Sequence, residues 1–195
     1  MVRDSPLHNF LFETDPDGFY EGLSTFCTPW IDVCVLLHIV RRRRPNRFLE
    51  IGTHRGHTCR IIAEKFPEMQ VTTVDPGDQI FASDRPFNQF GEYLPQDEIG
   101  ELVAGHRNVE IIRRRFEDIE WGHARFEMIF IDGNHTLNSV LADSRLALRL
   151  VTNPGVIVWH DVNNVKSVNE ALEMFAADHT IVTLHNTWIG YLDTH

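Results

Sequence analysis

Cysteine is scarce in this chain: Cys27, Cys34 and Cys59 are an odd number with no C-x-x-C spacing. Neither a disulfide framework nor a thiolate zinc site follows from them, and a reducing, cytoplasmic setting is expected. Long apolar runs are missing too. The longest, Trp30 to Val40, is interrupted by Asp32 and His38 and falls short of the ~20 residues that cross a bilayer. Met1 to Tyr20 carries several acids and no apolar segment, so no signal peptide is expected. Basic residues are outnumbered, 18 Lys and Arg against 28 Asp and Glu, for a net charge of −10. Polyanions are held by clustered Lys and Arg, so neither nucleic acid nor membrane is expected as a partner. Two arginine runs depart from that trend, Arg41 to Arg44 and Arg113 to Arg115. The first ends a helical pattern, where cations complement the helix dipole. Repeats and Gly/Ser linkers are absent, which leaves residues 1–28 as an N-terminal extension and 29–195 as one domain.

Hydrophobic residues make up 43% of the 195, enough for one domain that buries roughly 70% of its unfolded surface. Pro29 suits the first turn of a helix through Trp30, Val33, Leu36, Leu37 and Val40. After it the patterns alternate. Strand-like runs at Arg47–Ile51, Val71–Val74, Val109–Ile112, Met128–Ile131 and Val156–Trp159 are interleaved with helical ones at Gly56–Phe66, Leu137–Leu150 and Val165–Ala177. That rhythm predicts a parallel sheet with helices on both faces. Asp75 to Gly105 is rich in Pro, Gly, Asp and aromatics, with a helical stretch only at about Gln96 to Val103. Loops beyond ~12–15 residues are usually functional, so a substrate cover is expected there. The last two strands, Thr180 to Leu184 and Trp188 to Leu192, are separated only by His185, Asn186 and Thr187. Three residues cannot hold a crossover helix, so these strands form an antiparallel hairpin.

The turn after the first of the interleaved strands is where a nucleotide cofactor would sit. Phe48 to Thr58 reads FLEIGTHRGHT, with His54 where a G-x-G-x-x-G fingerprint needs the glycine that lets backbone approach a diphosphate. A ligand without a diphosphate needs only the tight turn at Gly52 and the close helix approach at Gly56. S-adenosylmethionine is such a ligand, and its ammonium and sulfonium favour a carboxylate such as Glu50. Asp75, about 20 residues further along, sits where ribose hydroxyls are held.

The segments LEIGTHRGHT (Leu49 to Thr58), Val74-Asp75, FIDGNH (Phe130 to His135) and GVIVWHD (Gly155 to Asp161) resemble the motifs of class I S-adenosylmethionine-dependent methyltransferases. The nearest branch contains small-molecule O-methyltransferases and cephalosporin-hydroxylase-like proteins. The resemblance runs from about Arg47 to the C-terminus. It implies an α/β, Rossmann-like three-layer sandwich with a mostly parallel seven-stranded sheet ending in an antiparallel hairpin. It also implies cofactor binding by Glu50, Gly52, Thr53, Gly56, Asp75 and Asp132. This superfamily often has an acid near the adenine after its third strand, whereas here Arg113 to Asp118 reads RRRFED. Phe116 is expected to stack on the base instead, with Glu117 or Asp118 as acceptor.

Ligands of open parallel sheets sit beyond the carboxyl ends of the strands. Asp132, Asn134 and His135 follow one such end, and His160, Asp161 and Asn163 the next. Two mechanisms stay open for Asp132, His135, His160 and Asp161 as catalytic residues. Asp132, Asp161 and His160 are candidate ligands for Mg²⁺ or another divalent ion that lowers the pKa of a substrate hydroxyl. The resemblance supports this in part, because relatives place an Asp-Asn or acid-acid pair where this chain has Asp161 with Asn163, or His160-Asp161. Alternatively His135 or His160 is a general base oriented by the aspartates. The function expected is methyl transfer from S-adenosylmethionine to a small-molecule hydroxyl. A nucleotide-dependent reductase, or a binding protein of the same fold without turnover, are the alternatives. The apolar helix and Trp188 offer a face to a second copy as readily as to the core, so a homodimer stays open.

Overall fold

The computed structural model describes residues 2–5, 19, 28–77 and 94–195, and for 2–5 the backbone alone. In chain order the elements are β1 (Val2–Ser5), α1 (Trp30–Arg43), β2 (Arg47–Ile51), α2 (His57–Lys65), β3 (Gln70–Val74), β4 (Val109–Ile112), β5 (Phe126–Ile131), α3 (Leu137–Leu150), β6 (Val151–Trp159), α4 (Lys166–Phe175), β7 (Ile181–Leu184) and β8 (Gly190–Thr194). They build one sheet in the order β1-β7-β8-β6-β5-β2-β3-β4. Every pairing is parallel except those of β8, which runs antiparallel to both β6 and β7. The terminal hairpin is therefore present, and the fold is the expected Rossmann-like one. The strand count differs: β1, from the N-terminal extension, adds an eighth strand parallel to β7.

Central strands covered on both faces read as continuous apolar runs, and their residues divide by parity. Leu49, Ile51, Ile129, Ile131, Ile157 and Trp159 join the core beneath α3 and α4. Phe48, Met128, Phe130, Val156 and Val158 point the other way, against Leu36 and Leu37 of α1 and Ile62 of α2. The indole N–H of Trp159 donates to Ser144 Oγ of α3 at 2.9 Å, which satisfies the one polar atom of a fully buried ring. Members of both arginine runs make structural contacts. Arg43 pairs with Asp193, and Arg41 stacks on Phe19 with its guanidinium 4.8 Å from the ring centre. Arg113 donates to the carbonyls of Gln96 and Ile99 at 2.8 and 2.9 Å. That holds the 94–103 segment against the end of β4. The helix expected over Gln96–Val103 is a series of turns closing in a 3₁₀ turn at Glu101–Val103. The rest of the expected substrate cover, residues 78–93, lies outside the described residues.

Candidate active site

Parallel pairing brings the carboxyl ends of β2, β3, β5 and β6 to one edge of the sheet. The β2–α2 turn crosses that edge. Gly52 adopts φ 102°, and a Cβ built there would lie 2.0 Å from the carbonyl oxygen of Asp132. The turn thus lies directly on the backbone that follows β5, an approach only glycine permits. His54, also left-handed at φ 49°, donates its amide N–H to Asp75 Oδ2 at 2.8 Å. Gly77 N–H donates to Asp75 Oδ1 at 2.8 Å. Asp75 therefore organises the turn, with lone pairs left on both carboxylate oxygens.

Glu50 lies beneath this turn and is 1% exposed. Its Oε2 accepts from Thr73 Oγ1 at 2.5 Å, and Thr73 Oγ1 also lies 2.6 Å from Thr53 Oγ1. Burial, aided by the charges of Asp132 and Asp75 and opposed by the Thr73 bond, pushes the Glu50 carboxyl up to about 8. The folded chain therefore holds a proton on Glu50 that the unfolded chain gives up near the ordinary carboxylate pKa. Stability falls as pH rises between those values, by up to ~1.4 kcal/mol per pH unit. Glu50→Gln keeps the Thr73 acceptor and removes the slope. In urea unfolding of the ligand-free protein, the variant should be no more stable than wild type near pH 4 and progressively more stable toward pH 8. A constant difference across that range would show that Glu50 is ionised in the fold.

The second half of the site lies beyond β5 and β6. Asp132 follows β5, its N–H bonded to the Ile51 carbonyl at 2.8 Å. His135 precedes α3, whose N-cap Thr136 accepts from Ser139 N–H. Asp161 follows β6 at φ 58°, a left-handed turn that swings its carboxylate back toward β5. Its Oδ1 accepts from Asn164 Nδ2 at 2.7 Å. His135 Nε2 lies 2.8 Å from Asp161 Oδ2 and 3.9 Å from Asp132 Oδ1, close enough for ion pairing but not aligned as a hydrogen bond. His160 Nδ1 is 3.3 Å from both Asp132 Oδ1 and Asp161 Oδ2. Burial opposes charge on these groups, but the mutual pairing outweighs it. Asp132 and Asp161 are held below the usual carboxylate range by the two histidines, while the aspartates push His135 up to about 9 and His160 up to about 12.

Residues 49–162, more than half of the chain, match the family model described as a methyltransferase domain. The chain belongs to this methyltransferase family. No curated protein matches it. Among solved structures the methyltransferase is similar to the O-methyltransferase TomG from Streptomyces achromogenes, involved in tomaymycin synthesis and solved with S-adenosylmethionine. That likeness is 19% identity over 90% of this chain and 83% of that one, at a TM-score of 0.59. An O-methyltransferase from Bacillus cereus, in complex with S-adenosylhomocysteine, shares 17% identity over 96% and 95% of the two chains, TM-score 0.58. The methyltransferase PaMTH1 from Podospora anserina, bound to S-adenosylhomocysteine, shares 16% over 92% and 88%, TM-score 0.62.

The methyltransferase brings Asp132, His135, His160 and Asp161 together, while Gly52, Thr53 and Gly56 lie on the β2–α2 turn and Asp75, after β3, accepts from its His54 N–H. Three expectations need correction. Phe116 is not open for stacking on adenine: it is 4% exposed and packed edge-on against Trp121 at 5.5 Å between ring centres, drawn into the core by its own apolar area. Glu117 and Asp118 beside it are exposed. Glu50 presents no open carboxylate, because Thr73 and the turn cover it. His160 does not open on the cleft: it is 6% exposed, and both its ring nitrogens face carboxylate oxygens from within the core. His135 takes the ligand-type position instead: one donor atom each from Asp132, His135 and Asp161 lies within 4.8 Å of the others. The unbonded, buried Nε2 of His135 and two carboxylates make a donor set that fits a divalent ion. Asn163 is exposed, and its backbone N–H donates to Asn169 Oδ1 at 2.8 Å. The residue that sequence reasoning passed over is Asp32, an acid inside an apolar helix, which reaches the back of the site.

Proposed function

We propose that this methyltransferase transfers the methyl group of S-adenosylmethionine to a hydroxyl of a small molecule, with His135 as the base. The observation that carries this reading is the His135 side chain, 29% exposed and flanked through Nε2 by Asp161 and Asp132, while His160 is sealed behind it. The two carboxylates favour the imidazolium that forms when the His135 ring takes the hydroxyl proton. The oxygen then attacks the methyl carbon, the carbon–sulfur bond breaks, and the sulfonium becomes a neutral thioether. Beyond that proton, in-line positioning supplies much of the rate. The Gly52 turn and Asp75 hold the cofactor, and Asp132 spans cofactor and acceptor. TomG and the Bacillus cereus protein bind S-adenosylmethionine and S-adenosylhomocysteine on the same fold, which supports the choice of cofactor. Cytoplasmic residence, a homodimer and the absence of a nucleic-acid partner belong to the same proposal. Among the described residues no helix is long and apolar enough to cross a membrane.

The convergence of Asp132, His135 and Asp161 favours a second version of the same activity. Those three would hold a divalent ion such as Mg²⁺, which when bound supplies Lewis-acid activation of the hydroxyl. One argument for an ion is weakened by the structure: the positive charge between the two aspartates is already provided by His160.

The cofactor reading is tested by thermal shift. S-adenosylhomocysteine at ~100 times its dissociation constant should stabilise the protein by about 2.7 kcal/mol, and NADH should not. Stabilisation by NADH alone would return the reductase to first place. Turnover is tested by incubating methyl-labelled S-adenosylmethionine with a panel of phenols, catechol and sugars and detecting label in the acceptor.

A further inference from the structure

Asp32 is 1% exposed in the first turn of α1, among Val33, Cys34 and Val35. Neither α1 nor the β7–β8 hairpin falls within the segment that matches the methyltransferase family. A carboxylate buried in such company is costly unless both oxygens are engaged. Here they are. Oδ1 accepts the backbone N–H of Trp188 at 3.0 Å, and Oδ2 faces His160 Nε2 at 3.2 Å. The other nitrogen of that ring faces Asp132 Oδ1 and Asp161 Oδ2. Both ring nitrogens thus face carboxylate oxygens, and each is placed to donate a hydrogen bond to one of them. Phe130 and Trp188 pack against the ring in edge-type contacts, at 6.2 and 5.9 Å between centres. His160 is thereby fixed in position, orientation and hydrogen-bonding pattern.

We infer that Asp32 is a positioning residue of the active site: through His160 it sets where the Asp132 and Asp161 carboxylates stand. Asp32 touches neither cofactor nor acceptor. Without its acceptor, His160 Nε2 is left buried and unpaired, and the ring turns or gives up one donor. Asp132 and Asp161 then lose the donor they share and repel each other across the place where the hydroxyl must lie. The inference rests on the proposed function for its consequence in rate, but the arrangement itself can be read directly. A purely structural role would be the Trp188 bond alone, tying α1 to the hairpin.

Asp32→Asn separates the two roles. It keeps the size of the side chain and an oxygen for Trp188, and turns an amide donor toward His160. The test is a ¹H–¹⁵N spectrum of the histidine rings, with His160 assigned by the signals lost in His160→Gln. Two slowly exchanging ring N–H protons are expected on His160 in the wild type, and the Nε2 proton should be lost in Asp32→Asn. On whichever panel acceptor wild type methylates, kcat should fall about 10- to 100-fold, the range for residues that orient others in a site. The melting temperature should fall, because a buried donor loses its acceptor, and S-adenosylhomocysteine affinity should fall by clearly less than kcat. Adding Asp32→Asn to His160→Gln should cost nothing further, since the first acts through the second. Retention of both His160 ring protons in Asp32→Asn would overturn the inference. So would a loss of kcat matched by an equal loss of cofactor affinity. If wild type methylates no acceptor of the panel, the proposed function fails, while the ring spectrum still decides the placement of His160 by Asp32.

Discussion

Gly52→Ala is expected to destabilise the protein by about 3 kcal/mol or more and to weaken S-adenosylhomocysteine binding at least ~100-fold, or ~2.7 kcal/mol. The added Cβ would lie 2.0 Å from the Asp132 carbonyl oxygen, 2.6 Å from its carbon and 2.9 Å from Gly133 Cα. All three are backbone atoms, which cannot yield by rotating a side chain. Relief must come from moving either the β2–α2 turn or the segment after β5, and both border the proposed cofactor site. A built-in control is available in Gly105. Its φ of 97° resembles that of Gly52, but a Cβ there meets nothing within 4 Å. Gly105→Ala bears the left-handed strain alone, ~1–2 kcal/mol, with no effect on ligand. Urea unfolding and calorimetric titration of the two variants separate backbone strain from collision. Equal losses in both would mean that the Gly52 turn is not pressed against Asp132.

The elements that periodicity describes well are those the sequence predicts closely. The helix over Leu137–Leu150 has the expected bounds because Thr136 caps it at one end. The terminal hairpin follows from three intervening residues, which leave no other connection. The eighth strand is illegible for a physical reason: VRDS carries no alternation of apolar and polar residues, and its partner lies at Ile181–Leu184, almost the length of the chain away. The site divides in the same manner. Strand ends mark Asp132 and Asp161, but which neighbouring histidine faces the cleft depends on backbone turns that spacing does not encode. Asp161 is left-handed, which breaks the alternation that would otherwise assign His160 and Asp161 to opposite sides. Asp32 was visible as an acid in an apolar helix, yet its partner lies 128 residues further on. Phe116 shows the converse error, since an aromatic after a strand satisfies a cofactor pattern and a core pattern equally well. Only the packing of Trp121 against it decides.

His135→Ala is expected to lower the rate of methyl transfer by about 10²–10⁴-fold, the range for loss of a general base. Cofactor affinity should change little. The pH profile carries the mechanistic content. The carboxylates of Asp132 and Asp161 push His135 up to about 9, so near pH 7 most of the ligand-free enzyme carries a proton on the group that must accept one. The wild-type rate should therefore climb from pH 7 and level off near pH 9, as the neutral ring becomes the major form. The deficit of His135→Ala should shrink at still higher pH, where a phenolic acceptor ionises without help. A chelator distinguishes the base from the ion. With His135 as base, EDTA leaves the rate and its pH dependence unchanged. If Asp132, His135 and Asp161 hold a divalent ion, EDTA abolishes turnover while S-adenosylhomocysteine still binds, and Asp132→Ala and Asp161→Ala lose activity together. The expected result is insensitivity to EDTA, because the charge between the aspartates is already balanced by His160. A flat profile between pH 7 and 9, with His135→Ala as active as wild type, would exclude both versions and leave positioning of the two substrates as the whole of the catalysis.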